Sequence, residues 1–208
     1  MDDNYSKASK KNIFQGDYYR ITVLSERLVR LEYSTDGLFV DTPTQLVKNR
    51  DFGQAIFEYH EDSKYLLIKT KYFMLTYLKN KPFGGGKVNP ISNLKVELLN
   101  SGKIWYYGHP EVRNYGAPSI SIENSNNKLK LKRGLYSTDG FASIDDSNNY
   151  LINGQNELVK KETNSIDIYL FMYLNDYLGC LNDYYKLTGY PPLIPRYALG
   201  NWWSRSIS

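Results

Sequence analysis

Three carboxylates stand close together near the middle of the second half of the chain: Asp139, Asp145 and Asp146. Two carboxyl groups that face one another can divide general acid and general base work between them. Here, however, Asp139 precedes Gly140, and Asp145-Asp146 precedes Ser147. Both patterns are those of tight turns between strands. The sequence therefore reads all three as turn residues, and no residue of the chain is assigned a catalytic role. His60 and His109 are far apart, with no neighbouring cysteine and no second histidine at helical spacing. They do not form a metal-ligand pattern, so neither a metal nor another cofactor is expected. Cys180 has no histidine near it in sequence to act as a base and is read as a small packing residue. Gly84-Gly85-Gly86 follows Pro82, but no helical pattern follows it. It is a connection between strands, not a phosphate cradle.

The elements that must hold these residues are strands. Val29, Leu31 and Tyr33 alternate with Leu28, Arg30 and Glu32; Leu94, Val96 and Leu98 alternate with Lys95 and Glu97; Leu129 and Leu131 alternate with Lys128, Lys130 and Lys132. Each predicts a strand with one buried and one wet face. Tyr72–Leu78 and Ile166–Leu174 are apolar on both faces and predict central strands covered on both sides. Glu61–Lys64 predicts a hairpin turn between Phe57–His60 and Tyr65–Thr70, and Asn100–Lys103 and Asn124–Asn127 predict two more. Many short strands with frequent polar turns predict an antiparallel β-sandwich. One segment departs from this. Tyr177, Leu181, Tyr184 and Tyr185 share a face at helical spacing between Asp176 and Thr188. Asn175 or Asp176 can cap the start, Gly189 the end, and Pro191-Pro192 blocks continuation.

Composition narrows the function classes. The 208 residues suffice for a sizeable core, and tyrosine is abundant at 20 residues, as strand-rich proteins allow. The net charge of +4 comes from 26 basic and 22 acidic residues spread along the chain, without the clustered patch of a nucleic-acid binder. Met1–Lys7 lacks the apolar core of a signal peptide, and no apolar run approaches the roughly 18 residues of a membrane span. With a single cysteine the chain forms no internal disulfide, and a cytoplasmic setting is expected. Nucleic acid and membrane are not expected as partners.

Three stretches, in order, resemble one known family. Lys103-Ile104-Trp105-Tyr106-Tyr107-Gly108 is similar to an aromatic-Tyr-Gly segment late in the N-terminal domain of glycoside hydrolase family 31, the α-glucosidases and their relatives. Gly134 through Ser147 resembles the Gly-Leu-x-Ser-Arg-Asp-Gly-aromatic-Ala…Asp-Asp-Ser hairpin of a bacterial branch, departing at Thr138, where arginine is usual. Tyr184 through Arg205, with its helix end, double proline and Trp202-Trp203, resembles the start of that family's catalytic barrel and is the most specific of the three.

The resemblance runs from Tyr18 to Arg205. It implies a mainly β chain: an N-terminal tail (1–15), an antiparallel sandwich of the galactose mutarotase-like supersandwich type (16–174), one linking C-terminal helix (175–190), and an orphan first barrel strand, Ala198–Trp203, within 191–208. It implies a retaining enzyme acting on an α-linked oligosaccharide or glucoside, whose two catalytic carboxylates lie on barrel strands beyond this chain. It further implies that a sandwich loop reaches over the barrel mouth. Gly108–Gly116 is punctuated as such a loop, where His109, Glu111 and Arg113 could bind sugar hydroxyls. Ser204 and Arg205 would stand near the active end of the first barrel strand. A strand separated from its barrel exposes Leu199, Trp202 and Trp203, which predicts disorder, folding back on the sandwich, or a homodimer. Two alternatives remain: a free-standing carbohydrate-binding module using exposed aromatic residues, and a mutarotase-like enzyme, which would need a histidine and a glutamate around one sugar.

Overall fold

A computed structural model describes residues 7–79, 81–84, 92–118, 131–162 and 165–200. In chain order, β1 (Ile13–Gln15), β2 (Tyr19–Ser25) and β3 (Leu28–Ser34) form an antiparallel meander. A second meander contains β4 (Glu58–Glu61), β5 (Tyr65–Lys69), β6 (Phe73–Leu78), β7 (Leu94–Leu98) and β8 (Lys103–Tyr106). Two small ribbons come next: β9 (Ala117–Pro118) with β10 (Leu131–Lys132), and, after β11 (Phe141–Asp145), β12 (Leu151–Ile152) with β13 (Leu158–Val159). The chain then returns to the first sheet as β14 (Ser165–Met172), and α1 (Tyr177–Thr188) closes the fold. The two large sheets have the orders β1-β2-β3-β14-β11 and β4-β5-β6-β7-β8.

Alternation along the strands assembles the sandwich. Ile21, Val23, Val29, Leu31, Leu170 and Met172 of the first sheet share one buried cluster with Leu66, Ile68, Phe73, Leu75, Val96 and Trp105 of the second. These residues occupy every second position, so each sheet gives one face to a common core. The opposite face of the first sheet is also covered. Leu24, Leu28, Ala142, Phe171 and Tyr173 pack there with Val47 and with Cys180 and Leu187 of α1.

Several expectations hold, and others shift for identifiable reasons. The Glu61–Lys64 turn is present, with Asp62 Oδ1 accepting the amides of Lys64 and Tyr65 at 2.7 Å each. Asn100 and Gly102 take φ of 62° and 66° between β7 and β8. β14 is buried on both faces over its second half, as its apolar run predicts. β6 is not: Met74, Thr76 and Leu78 are only half-buried, because no described element covers that face. β3 departs the other way. Its expected wet face, Arg30 and Glu32, is buried at 2% and 3% exposure. Residues 13–15, expected within the N-terminal tail, are β1, and Phe14 joins the core.

The helix is capped as predicted. The Asp176 carboxylate accepts the Gly179 amide at 3.0 Å, and Gly189, at φ 97°, donates to the Tyr185 carbonyl at 2.8 Å. Its buried stripe is rotated relative to the sequence reading. Cys180, Tyr184 and Leu187 face the sheet, while Tyr177 is 37% exposed. From Tyr190 to Gly200 the chain is exposed except at the half-buried Ala198, and Arg196–Leu199 forms a single 3-10 turn, with Ala198 N donating to Pro195 O at 2.8 Å. Ala198 and Leu199 are therefore not in the strand expected from Ala198. Neither belongs to a strand of the described sheets. Asn124–Asn127, Lys128–Lys130, Gly85-Gly86 and Trp202–Arg205 lie outside the described residues. No helix among the described residues is long and apolar enough to cross a membrane.

Candidate functional site

The 108–116 loop leaves β8 and is pinned almost residue by residue. His109 N donates to Tyr106 O, Asn114 N to Glu111 O, and Tyr115 N to Tyr136 O, while Arg113 O accepts from Thr138 N. Asn114 binds Gly134 through both side-chain atoms, accepting its amide at 2.6 Å and donating to its carbonyl at 2.8 Å. Gly134 is required at that approach, since a Cβ there would stand 2.4 Å from Tyr115 O. The loop is thus a preformed platform, and a partner would not have to order it.

The three loop residues singled out in the sequence occupy different environments. Glu111 points inward, 3% exposed, from a backbone at φ 46°. Its carboxylate accepts Trp105 Nε1 at 3.1 Å and Ser143 N at 3.2 Å, and also the Ser143 hydroxyl. It therefore joins β8 of one sheet to β11 of the other and has no outward-facing oxygen to offer a sugar. His109 is half-buried between the rings of Tyr106 and Phe141, at 4.9 and 5.1 Å. Its Nδ1 accepts the Glu111 amide at 3.0 Å. Burial lowers the His109 pKa below the usual histidine range, outweighing the opposite pull of Glu111 and Asp139. Arg113 is exposed and lies 3.5 Å from Asp139 Oδ1, which Lys103 Nζ approaches to 3.8 Å. Val112 and Tyr115 are exposed beside it, at 79% and 56%. Arg133, which donates to Pro110 O, also lines an open cleft with Leu46, Leu135, Asp145 and Tyr184. Ser204 and Arg205 lie outside the described residues.

The turn carboxylates separate as well. Asp139 sits in a turn with Gly140 at φ 74°, and Asp145 accepts the Ser147 amide at 2.9 Å. Asp146 is fully buried and accepts from Thr44 Oγ1 and Asn149 Nδ2. It belongs to a charge cluster that the sequence reading missed. On the outer face of the first sheet, register places Arg20, Glu32 and Asp167 side by side across β2, β3 and β14, with Thr22, Arg30 and Tyr169 in the next row. Arg20 grips Glu32 at 2.6 and 2.8 Å, and Arg30 grips Asp167 at 2.8 and 2.9 Å. Lys161 Nζ lies 3.3 Å from Asp167.

Burial and ion pairing together set the charges of this cluster. Burial opposes the charge on Asp167, but Arg30, then Lys161 and Arg50, outweigh it and hold the carboxyl well below the ordinary range. Burial likewise opposes charge on Asp41, and Arg20, Arg30 and Arg50 more than offset it, so that carboxyl is also lowered. Asp146 is raised, by burial first and then by the charge of Asp167. Each charge is matched by a neighbour of opposite sign, which is the condition for keeping such groups out of water. Among the described residues, no group of three or more His, Cys, Asp or Glu side chains could hold a metal.

Comparison with known proteins is confined to structure. No protein-family model matches the chain, and no curated protein does. The chain is similar to part of a family 31 dextranase of Flavobacterium johnsoniae complexed with glucose, at 16% identity and a TM-score of 0.48. The match covers 90% of this chain and 28% of that one. A mutant of that dextranase complexed with isomaltotriose matches at 18% identity and a TM-score of 0.47, with the same coverage. A family 31 α-xylosidase of Xanthomonas citri matches at 14% identity and a TM-score of 0.32, over 69% of this chain and 15% of that one. The chain thus spans less than a third of the length of these enzymes.

Proposed function

We propose that this chain is the N-terminal accessory domain of a retaining α-glucosidase-type glycoside hydrolase of family 31, supporting the catalytic barrel and walling part of its substrate pocket. The observation that carries the reading is the segment after α1. Tyr190, Leu193, Ile194, Tyr197 and Leu199 are exposed at 62–97% in immediate succession to a helix docked on the sandwich. Such an apolar run is costly in water and suits burial against a further domain. It coincides with the stretch whose sequence most resembles the start of that family's barrel.

In this reading the chemistry belongs to two barrel carboxylates. A separation of roughly 5–5.5 Å lets one attack the sugar while the other donates and then removes a proton. The sandwich contributes surface. Arg113 and the exposed edge of His109 would meet sugar hydroxyls over the barrel mouth, with Tyr115 offering a ring face beside them. Ser204 and Arg205 would stand at the active end of the first barrel strand. Glu111 has a different role, holding the loop that carries the others. The substrate is an α-linked oligosaccharide or glucoside, met only through the full-length enzyme. The lone buried cysteine suits a reducing cytoplasm, and the exposed run could join two copies where no barrel covers it.

The test is an assay of the purified 208-residue chain on an aryl α-glucoside. The reading predicts no turnover above the buffer rate. Turnover abolished by a substitution within the chain would overturn it.

A further inference from the structure

The buried charge cluster grips a segment that belongs to neither sheet. Asp41 is held by Arg20 at 2.7 and 3.0 Å and by Arg30 at 3.0 Å, and Arg30 also donates to Val40 O at 2.9 Å. Arg50, 1% exposed, turns its side chain inward, donating to the Tyr169 hydroxyl at 2.7 Å and to Asp41 O at 3.0 Å. Between these anchors, Thr44 donates to Asp146 and accepts the amides of Leu46 and Val47. Residues 40–50 are therefore a strap, plugged into the outer face of the first sheet at both ends.

The same strap reaches the C-terminal end of α1. A helix leaves its last carbonyls without intrahelical donors. Here Lys48 N and Asn49 N both donate to Leu187 O at 3.0 Å, and Asn49 Nδ2 donates to Lys186 O at 3.2 Å. Lys186 in turn reaches over the Phe52 ring, 4.5 Å from its centre. Three consecutive residues thus join two elements. The backbone amides of 48 and 49 cap the helix, and the side chain of 50 enters the buried charges beneath.

We infer that Lys48-Asn49-Arg50 is a clasp with Arg50 as its pin, positioning the end of α1, and hence the exit of residues 190–200, through the buried charge cluster. Apolar contacts of Cys180, Tyr184 and Leu187 hold the body of the helix. They do not supply donors to its final carbonyls, so without the clasp the last turn frays and the exit direction loosens. The clasp is independent of the residues beyond Gly200 and of the proposed enzymatic role.

Amide hydrogen exchange, resolved by residue, tests it on the 208-residue chain and on Arg50→Met. Loss of the pin is expected to speed exchange at Lys48 and Asn49 by about 100-fold, with a smaller rise at Thr188 and Gly189, while Leu31 and Leu170 stay within about threefold. Should Arg50→Met fail to fold, Thr44→Val removes the inward hydrogen bond at the middle of the strap and is expected to give the same local pattern. A uniform rise at sheet and strap amides would make Arg50 a general stability residue and overturn the inference. Unchanged protection at Lys48 and Asn49 would overturn it as well.

Discussion

Replacing Glu111 by alanine separates a carboxylate that holds the fold from one that waits for a sugar. The substitution removes the acceptor of two fixed donors, Trp105 Nε1 and Ser143 N, at 3.1 and 3.2 Å. Trp105 is only 2% exposed, so its N–H is poorly placed to find water. An orphaned buried donor costs about 1–3 kcal/mol, and the Ser143 hydroxyl can rotate to another partner, so the loss should be about 2–4 kcal/mol. Two further variants sharpen the reasoning. Glu111→Gln keeps one acceptor oxygen but turns an amide group toward an existing donor, and should cost about 1–2 kcal/mol. Glu111→Gly loses the same bonds as alanine but relieves the left-handed backbone at φ 46°, recovering about 1 kcal/mol. Urea unfolding followed by circular dichroism gives all three free energies. A Glu111→Ala chain within about 0.5 kcal/mol of the parent would refute the inward role and return Glu111 to the surface.

Three further outcomes rest on the same geometry. Neutral His109 accepts the Glu111 amide, and its folded pKa lies below the unfolded value, so this contribution is full above about pH 6.5 and fades as pH falls from there toward the folded pKa. The urea midpoint should therefore drop between pH 7 and the folded pKa, and His109→Asn, which keeps an acceptor but does not titrate, should flatten that drop; an equally steep drop in His109→Asn would count against the assignment. Asp167→Asn leaves Arg30 with a neutral partner in a site 2% exposed and should destabilise by about 3 kcal/mol in the same urea assay, whereas a loss below about 1 kcal/mol would show the pair to be dispensable. Burial pushes the Cys180 thiol up to about 12, so iodoacetamide at pH 8 should label it only after unfolding; labelling of the native chain at the unfolded rate would contradict its packing role.

What the sequence disclosed was local, and what it hid depended on pairing. Val29, Leu31 and Tyr33 announce β3 by alternation alone, and Asp62, Asn100 and Gly102 announce turns of the second sheet by their chemistry. The sandwich and α1 emerge from such signals. The wet face assigned to Arg30 and Glu32 does not hold, because alternation says only that two faces differ. That Arg20, Glu32 and Asp167 become neighbours is decided by register across β2, β3 and β14, the last separated from the others by more than a hundred residues of chain. Residues 40–50 carry no periodic signal, yet they cover that face and make its burial possible. Opposite charges at alternate strand positions, as in Arg30 and Glu32, were the one available hint.

The candidate loop was similarly half-legible. Glycine and proline mark Gly108–Gly116 as a loop, and residue types nominate His109, Glu111 and Arg113. Direction is not written in type. The left-handed backbone at Glu111 turns its carboxylate toward Trp105 and Ser143, and leaves Arg113 and Tyr115 outside. The helix stripe was off by a small rotation for a related reason. Tyr177 and Tyr185 are apolar enough to be buried, but Cys180 and Leu187 are the helix residues that pack into the cluster on the sheet.

The central claim, that this sandwich serves a barrel, is tested most directly by reading the coding sequence downstream of codon 208. The account predicts an open frame continuing through alternating strand and helix patterns, with an aspartate at the end of the fourth barrel strand. A stop codon directly after Ser208 would contradict it and make sugar binding by a free-standing sandwich the reading to pursue.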